Sequence, residues 1–249
     1  ALATGISQTV GGVLPLLYFL RSNDSILRLR VTKIEAKPLV QACTNGASEM
    51  MSSISGSVVS MLFNFQLLRL AGEDGVASYG VLMYVNFIFL AIFIGYTIGA
   101  SPIVSYHYGA ENPAEVRNIL QKSLRFMAGV GVAMTALAWV LASPLAHIFV
   151  GYDQELMEMT RHAFHICSFM FLVAGINIFG SSFFTALNNG LISAAISFLR
   201  GLVFQCLSVL ILPIFFKLDG IWWAVVVADV CSFCVTAVFL LAKRKKYGY

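Results

Sequence analysis

Glu49 is the residue in this sequence whose position most suggests a chemical role, because it is a carboxylate in the middle of an apolar run. An ionised carboxyl group surrounded by apolar atoms is strongly unfavourable unless it has a partner or water. Polar or small residues recur three or four positions apart around it, which places them on one face of a helix: Asn45, Glu49, Ser52, Gly56, Ser60 and Asn64. The stripe indicates a water-accessible interior; contact between helices through small polar residues is the alternative.

A second ionisable group, Asp229, lies within another apolar run, and Arg200 lies within the run before it. Two interpretations stay open for Asp229: an ion pair with Arg200, or part of an ion-coupling site. A second polar stripe at helical spacing is expected to line the same cavity, and it comprises Asn177, Ser181, Thr185 and Asn188.

The remaining reactive residues do not assemble a catalytic or metal-binding motif. Cys231 and Cys234 form a C-x-x-C without a second pair or a nearby histidine, and packing is the better interpretation. His162 and His165 have no third ligand close in sequence. No nucleophile elbow, phosphate-binding loop or zinc-protease motif occurs. We therefore expect no enzyme and no cofactor, and the one metal expectation is Glu49 as a ligand for Na⁺.

Composition shows what kind of elements must hold these residues. Apolar and aromatic residues make up 59% of the 249 residues, charged residues make up 11%, and the mean hydropathy is +0.83. Soluble chains carry about 25% charged residues. Seven apolar runs are long enough to cross a bilayer as helices, and none shows the alternation of a membrane β-strand. They lie at 1–20, 38–70, 77–108, 119–149, 159–187, 191–216 and 220–242. The fold class is therefore an all-α membrane protein.

The basic residues predict the orientation of these spans, because Lys and Arg beside a span are retained in the cytoplasm. They concentrate in the first connection, the third connection and the tail, which fall on one side if seven spans alternate. We expect a multi-pass protein of the cell membrane with a cytoplasmic C-terminus. The same asymmetry accounts for the net charge of +4, so the lipid bilayer is an expected partner and nucleic acid is not.

The segment 21–37 divides the chain into a leading helix, 1–20, and a six-helix unit, 38–243, which is followed by a basic tail, 244–249. The chain begins without Met at Ala1, already inside an apolar run, which indicates a piece of a longer protein.

Several motifs, in this order and spacing, resemble the multidrug and toxic compound extrusion (MATE) family. They are Asn45–Glu49, Gly95–Ala110 followed by Glu111 and Asn112, Thr185–Asn188, and Asp219–Ala224. The resemblance implies a twelve-helix transporter of two six-helix lobes, in which residues 1–20 are the last helix of the first lobe and 38–243 are the second lobe. It implies export of cationic amphiphilic compounds by alternating access in exchange for H⁺ or Na⁺. Glu49 matches the family's acidic position in the first helix of the second lobe, and the missing N-terminal lobe is an implied partner.

Two departures from the family pattern bear on the coupling ion. Some members have Asp in the helix corresponding to 159–187, where this sequence offers Asn177, and His107 stands where Asn is common. Proton coupling through Glu49 therefore gains weight over Na⁺. Organic cations are expected to contact aromatic side chains through cation–π interactions, namely those of Tyr84, Phe87 and Tyr96, provided that these face the cavity.

Two alternatives to drug export remain open. A lipid-linked sugar flippase of the same superfamily would need a strongly basic cavity, and Arg200 is the only basic residue deep in a span. A membrane scaffold subunit without transport activity would have its polar stripes sealed by packing.

Overall fold

The computed structural model describes residues 2–21 and 36–248, and the side chains of these residues except 2–4, 38, 45, 47–49 and 51–52. Two compact units are present, Ala1–Val40 and Gln41–Tyr249. The first contains helix α1 (Leu2–Leu20), whose described apolar side chains are mostly exposed. All regular structure in the described residues is helical, which confirms the predicted fold class.

The second unit contains the remaining helices. They are α2 (Ala36–Gly109), which begins just before this unit, α3 (Pro113–Val150), α4 (Gln154–Cys167), a 3₁₀ turn (Ser168–Met170), α5 (Phe171–Ala186), α6 (Gly190–Phe198), a π-helical segment (Leu199–Phe204) and α7 (Gln205–Tyr247). The short loops before α3, α4 and α6 each end on a residue whose side chain accepts a hydrogen bond from a backbone N–H in the first helical turn: Asn112, Asp153 and Asn189.

Helix α2 is two helices joined at Gly72, whose backbone is not helical (φ 65°, ψ −149°). The rings of Phe63 and Tyr79 are stacked with centroids 5.3 Å apart, although these residues lie on opposite sides of Gly72. The chain therefore folds back on itself at this residue, and its positive φ favours glycine. A loop over 71–76 was expected between the second and third spans; the structure instead reverses within about one residue and keeps 73–76 helical.

Helix α7 has a similar break at Lys217 (φ 51°, ψ −126°). A Cβ atom added at Gly220 would lie 2.5 Å from the carbonyl oxygen of Leu212, so the segments on the two sides of Lys217 are in direct contact. The break separates a helix over 205–216 from a second helix over 218–247. A non-glycine residue in this conformation stores strain on the order of 1–3 kcal/mol.

These reversals account for the predicted number of spans. Four continuous helical stretches are long and apolar enough to cross a membrane, at Ser53–Gly109, Pro113–Val150, Gln154–Ala186 and Gly190–Tyr247. The first and the last contain the breaks at Gly72 and Lys217, so the described part of the second unit supplies six crossing segments. With α1, the structure confirms the seven predicted helices.

Contacts between the loops define two opposite ends of the helix bundle. At one end Tyr247, the last residue of α7, accepts a hydrogen bond from Asn189 Nδ2 at 2.6 Å, and its ring lies 5.9 Å from that of Tyr108. At the other end Thr160 Oγ1 donates to Ser78 Oγ at 3.0 Å. The loop at 110–112 and the basic tail therefore share one end, as the charge pattern predicted.

Candidate functional site

The second unit contains a partly open cavity of about 570 Å³ whose wall is built from five helical segments. The helix before Gly72 contributes Ser53 and Gly56 among others, and the helix after it contributes Asn86 and Phe87 among others. The other three segments are the residues around α5, the α6 and π segment, and the helix after Lys217, and they contribute Cys167, Met170, Ser181, Ile196, Ser197, Arg200, Gly201, Gln205, Trp222, Val225 and Asp229. Residues distant in sequence thus form one mostly apolar chamber with hydrogen-bonding groups.

The only formal charges among the described lining residues belong to Arg200 and Asp229, which pair with each other. Arg200 Nε donates to Asp229 Oδ1 at 3.1 Å, with Asp229 3% exposed and Arg200 25% exposed. Both side chains border the cavity, and the carboxylate is much less exposed than the guanidinium. Arg200 lies on the π-helical segment, and such interruptions frequently occur at functional sites. The ion pair, one of the two interpretations left open for Asp229, is therefore present.

Asn177 supports this pair from behind. Its side chain is fully buried, and Nδ2 donates to the backbone carbonyl of Asp229 at 2.9 Å. Three buried oxygens at this contact between α5 and α7 have no hydrogen-bond partner among the described residues: Asn177 Oδ1, Ser232 Oγ and Thr236 Oγ1. Gly180 keeps the helices close together, since an added Cβ atom would collide with Thr236 Cγ2.

A chain of hydroxyl groups continues from the cavity wall toward the end of α5. Ser197 and Ser181, which both line the cavity, have their oxygens 2.9 Å apart. Ser181 is 3.0 Å from Ser193, and Ser193 is 2.6 Å from Thr185. These contacts satisfy polar groups that would otherwise be buried without partners between α5 and α6.

Aromatic rings form a second part of the wall. Phe63 and Tyr79 stack on each other, and Trp222 is almost fully buried beside them in the lining. Phe87 lines the cavity and is 75% exposed, so its ring is accessible to a bound molecule.

The structure brings some of the predicted site residues together and separates others. Asp229 and Ser181 line the cavity, and Asn177 lies directly behind its wall. Tyr96 lies elsewhere: its hydroxyl is 2.9 Å from Ser123 Oγ, and its ring stacks on Phe126 at 4.5 Å. Tyr84 is 72% exposed and is likewise not among the described lining residues. Neither tyrosine is therefore among the described residues that line this cavity, and their contact with organic cations stays a prediction.

Glu49 and its polar neighbours belong to the predicted stripe on the helix before Gly72. The side chains of Asn45, Glu49 and Ser52 lie outside the described residues, although their backbone is part of α2. Of the rest of their stripe, Gly56 lines the cavity, and Ser60 lies near the side chain of Tyr79.

Several polar residues at or behind the wall were missed in the sequence analysis. Ser197 lines the cavity, and Ser193 lies behind it in contact with Ser181. These two serines precede Arg200 at helical spacings of seven and three, so the same periodicity argument would have found them. Asn86 is a polar residue within an apolar span and carried a similar signal. Cys231 and Cys234, expected in packing contacts, are exposed free thiols on the surface of this unit.

No cluster of three or more His, Cys, Asp or Glu residues that could hold a metal occurs in the described part of the chain. His162 Nε2 and Asp219 Oδ1 lie 3.0 Å apart, but both side chains are more than half exposed. This pair ties α4 to the helix after Lys217 at the bundle end.

Comparison with known proteins places these features in a family context. The MatE family model matches residues 50–210. The multidrug export protein MepA of Staphylococcus aureus is 21% identical over 242 residues, covering 97% of this chain and 52% of that protein. MepA of Staphylococcus saprophyticus is 23% identical over 251 residues, with the same coverage. The chain thus spans about half the length of these curated relatives.

Solved structures show the same fold at low sequence identity. A crystal structure of MATE in complex with MaL6 superposes with a TM-score of 0.89 at 16% identity, covering 98% of this chain and 55% of that one. An outward-facing multidrug resistance MATE family transporter of the MOP superfamily gives a TM-score of 0.87 at 15% identity, with the same coverage. Both similarities are similarities of fold, and each covers roughly half of the solved chain.

Proposed function

Because the chain belongs to the MatE family of multidrug and toxic compound extrusion transporters, we propose that it supplies one lobe of a secondary active exporter of cationic amphiphilic compounds. Its relatives in Staphylococcus are multidrug export proteins about twice as long, so the proposal includes a first lobe as the partner across the transport path. The family is one of transport proteins, not of enzymes. The exporter would use H⁺ or Na⁺ as the coupling ion and work by alternating access.

The cavity is the observation that carries this proposal. Its volume of about 570 Å³ falls within the usual range of small-molecule sites, roughly 300–1,000 Å³. Its wall combines apolar and aromatic surface with a few hydrogen-bonding groups, which suits amphiphilic molecules of varied shape. Because Arg200 and Asp229 neutralise each other, the described wall repels neither cations nor neutral molecules.

The same wall argues against the two alternatives. A flippase for a pyrophosphate-linked sugar would need several unpaired basic groups, whereas the one Arg in the described lining is paired. A scaffold without transport activity would have its polar stripes closed by packing, whereas Ser53, Gly56 and Ser197 border open space.

We assign ion coupling to position 49, as an extension of the cavity face. Position 49 precedes Ser53, a lining residue, by four residues in an uninterrupted helix, and positions four apart share a helix face. A carboxylate there would bind either a cationic substrate or a coupling ion, and this competition would couple the two fluxes. Asn45 and Ser52 are proposed neighbours in that site, and Na⁺ remains a candidate ligand of Glu49 beside H⁺.

The other residues receive supporting roles in the proposal. Ser181 contacts substrate, and Asp229 with Asn177 fixes the wall. Phe87 offers its exposed face to organic cations through cation–π contact, and Tyr84, exposed three residues earlier, would extend that surface at the lobe boundary. Tyr96 would act indirectly, by holding its helix against α3.

We also propose that the protein is inserted in the cell membrane with its C-terminus in the cytoplasm. The loop at 110–112 and the tail lie at one end of the bundle, and basic residues concentrate there. The opposite end carries acidic residues near its turns, among them Glu73, Asp74 and Asp219. Retention of Lys and Arg in the cytoplasm supports this orientation.

Replacing Glu49 with Gln in the full-length transporter tests the proposal. The change keeps the size of the side chain but removes its charge and its exchangeable proton, so coupled dye export should fall at least about tenfold while membrane insertion is retained. Glu158→Gln, at an exposed position near the bundle end, is the matched control and should export normally. Wild-type export by the Glu49→Gln variant, with unchanged dependence on pH and Na⁺, would remove Glu49 from the mechanism.

Thiol accessibility separates a transporter cavity from a sealed scaffold. In a background without native cysteines, Ser53→Cys should react with a small membrane-permeant thiol reagent, because Ser53 borders the cavity. Ser55→Cys should be protected, because Ser55 is 1% exposed. Equal protection at the two positions would favour the scaffold.

A further inference from the structure

We propose that Arg200 is a subsite for the anionic group of a substrate, so that the cavity accepts zwitterionic amphiphiles that carry a carboxylate as well as a cationic group. This inference rests on the proposed export function and specifies a substrate class for it. It assigns to Arg200 a role beyond pairing with Asp229.

The hydrogen bonding of Arg200 is incomplete within the protein. A guanidinium has five N–H donors in a planar fork. Among the described residues, the one hydrogen bond that the Arg200 side chain makes runs from Nε to Asp229 Oδ1. The two Nη groups, which form the far edge of the fork, are left for another acceptor, and Arg200 is part of the cavity wall. That edge matches a carboxylate, which accepts two parallel N–H bonds.

Asp229 fixes the position of this fork. Asp229 is 3% exposed and already accepts a hydrogen bond from Arg200 Nε, so a substrate cation has little access to its carboxylate. The bond to Nε limits rotation of the guanidinium, and Asn177 anchors the backbone at Asp229. A donor group positioned before the ligand arrives loses less entropy on binding.

A second donor lies on the same helical face. Ser197 precedes Arg200 by three residues, lines the cavity and is within hydrogen-bond distance of Ser181 Oγ. Either hydroxyl of this pair can donate its proton to an anion while it accepts a hydrogen bond from the other hydroxyl. The anionic group would therefore meet one guanidinium edge and one hydroxyl.

The separation along the helix axis between the level of Arg200 and position 49 suits the length of a zwitterion. A Cβ atom added at Gly201 would lie 3.1 Å from Ser55 Cβ, so the residues beside Arg200 lie at the level of Ser55. Position 49 is six residues earlier in the same helix, or about 9 Å along its axis. A drug-sized amphiphile with an ammonium group and a carboxylate at opposite ends spans this separation.

A matched pair of fluorescent probes tests the inference: rhodamine B, which carries a carboxylate and a delocalised cation, and its ethyl ester, which is a cation alone. Export of both is measured in cells that express the full-length transporter. The double variant Arg200→Gln/Asp229→Asn removes both charges and leaves no buried charge unpaired. We expect the ratio of rhodamine B export to ester export to fall about tenfold relative to the wild type, the effect of one charge-assisted bond.

Arg200→Lys provides a second variant that keeps a positive charge beside Asp229 but lacks the fork. It should also lower export of rhodamine B relative to the ester. Equal loss for the two probes in both variants, at normal membrane abundance, would show that the pair is structural and overturn the subsite. If the wild-type transporter exports the ester but not rhodamine B, the subsite is overturned and the proposed export function stands. If the wild-type transporter exports neither probe, both the subsite and the proposed function are overturned.

Discussion

The Arg200–Asp229 pair predicts an asymmetric response to removing its two members. Asp229 is 3% exposed and Arg200 is 25% exposed, so the carboxylate has lost its water almost completely while the guanidinium retains part of its own. Arg200→Gln therefore leaves a buried carboxylate without a cationic partner. Asp229→Asn leaves a guanidinium that water in the cavity can solvate.

The exposures set the expected magnitudes. Breaking a buried ion pair from one side costs about 3–5 kcal/mol. Arg200→Gln should lie near the lower value, about 3 kcal/mol, because Gln keeps an amide N–H donor on the side chain beside the carboxylate. Asp229→Asn removes one charge-assisted hydrogen bond and should cost about 1–2 kcal/mol. The double variant should lie within about 1 kcal/mol of the wild type, because it leaves no charge to bury.

Thermal unfolding of the detergent-solubilised protein measures these differences. At roughly 2–4 °C per kcal/mol for a domain of this size, Arg200→Gln should lower the midpoint by about 6–12 °C and Asp229→Asn by about 2–8 °C. Because the helices can unfold in several steps, the ranking of the three variants is the decisive result. Equal losses, or a larger loss from Asp229→Asn than from Arg200→Gln, would refute the reasoning from exposure.

Two further predictions concern packing and orientation. Gly180→Ala should destabilise the protein by about 1–3 kcal/mol through its clash with Thr236, and adding Thr236→Ser should restore stability by removing the methyl group. Gly129→Ala is the control and should be tolerated, because a Cβ atom there meets no described atom within 4 Å. Thermal unfolding that shows no rescue by Thr236→Ser would contradict this contact. In a background without native cysteines, a membrane-impermeant thiol reagent should label Asp74→Cys in intact cells and leave Asn112→Cys unlabelled; the reverse pattern would overturn the proposed orientation.

The membrane spans were predictable because length and hydropathy decide them, but their connections were not. The run around Gly72, Glu73 and Asp74 suggests a loop, since it is polar and contains glycine. In the structure the chain turns at Gly72 alone, and the two acidic residues occupy the first turn of the next helix. Negative charges are favourable at a helix N-terminus, so residues that suggest a loop also suit a helix start. Asp219 follows the break at Lys217 in the same way.

The site was predictable in its residue types more than in its geometry. Arg200 and Asp229 both lie deep within neighbouring spans, and a buried charge needs a partner. An ion pair between them was therefore one of the two interpretations from the sequence, and the structure shows that pair. Periodicity also found Ser181 and Asn177, but it could not say which of several helices each face would meet. Tyr96 shows this limit: its face packs on α3 through Ser123 and Phe126, not on the cavity.

Charge balance connects the proposed coupling site with the proposed anion subsite. Arg200 and Asp229 cancel within the described wall, so under the proposal a carboxylate at position 49 would set the net charge of the whole cavity. A monovalent cation would then compete directly with a proton or Na⁺ for that position. A zwitterion would place its cationic group there and its carboxylate at Arg200, and release of the cationic group would leave the Arg200 contact intact. Substitution at position 49 should therefore impair export of both classes, whereas substitution at Arg200 should discriminate between them, which makes the two residues separable by the rhodamine pair.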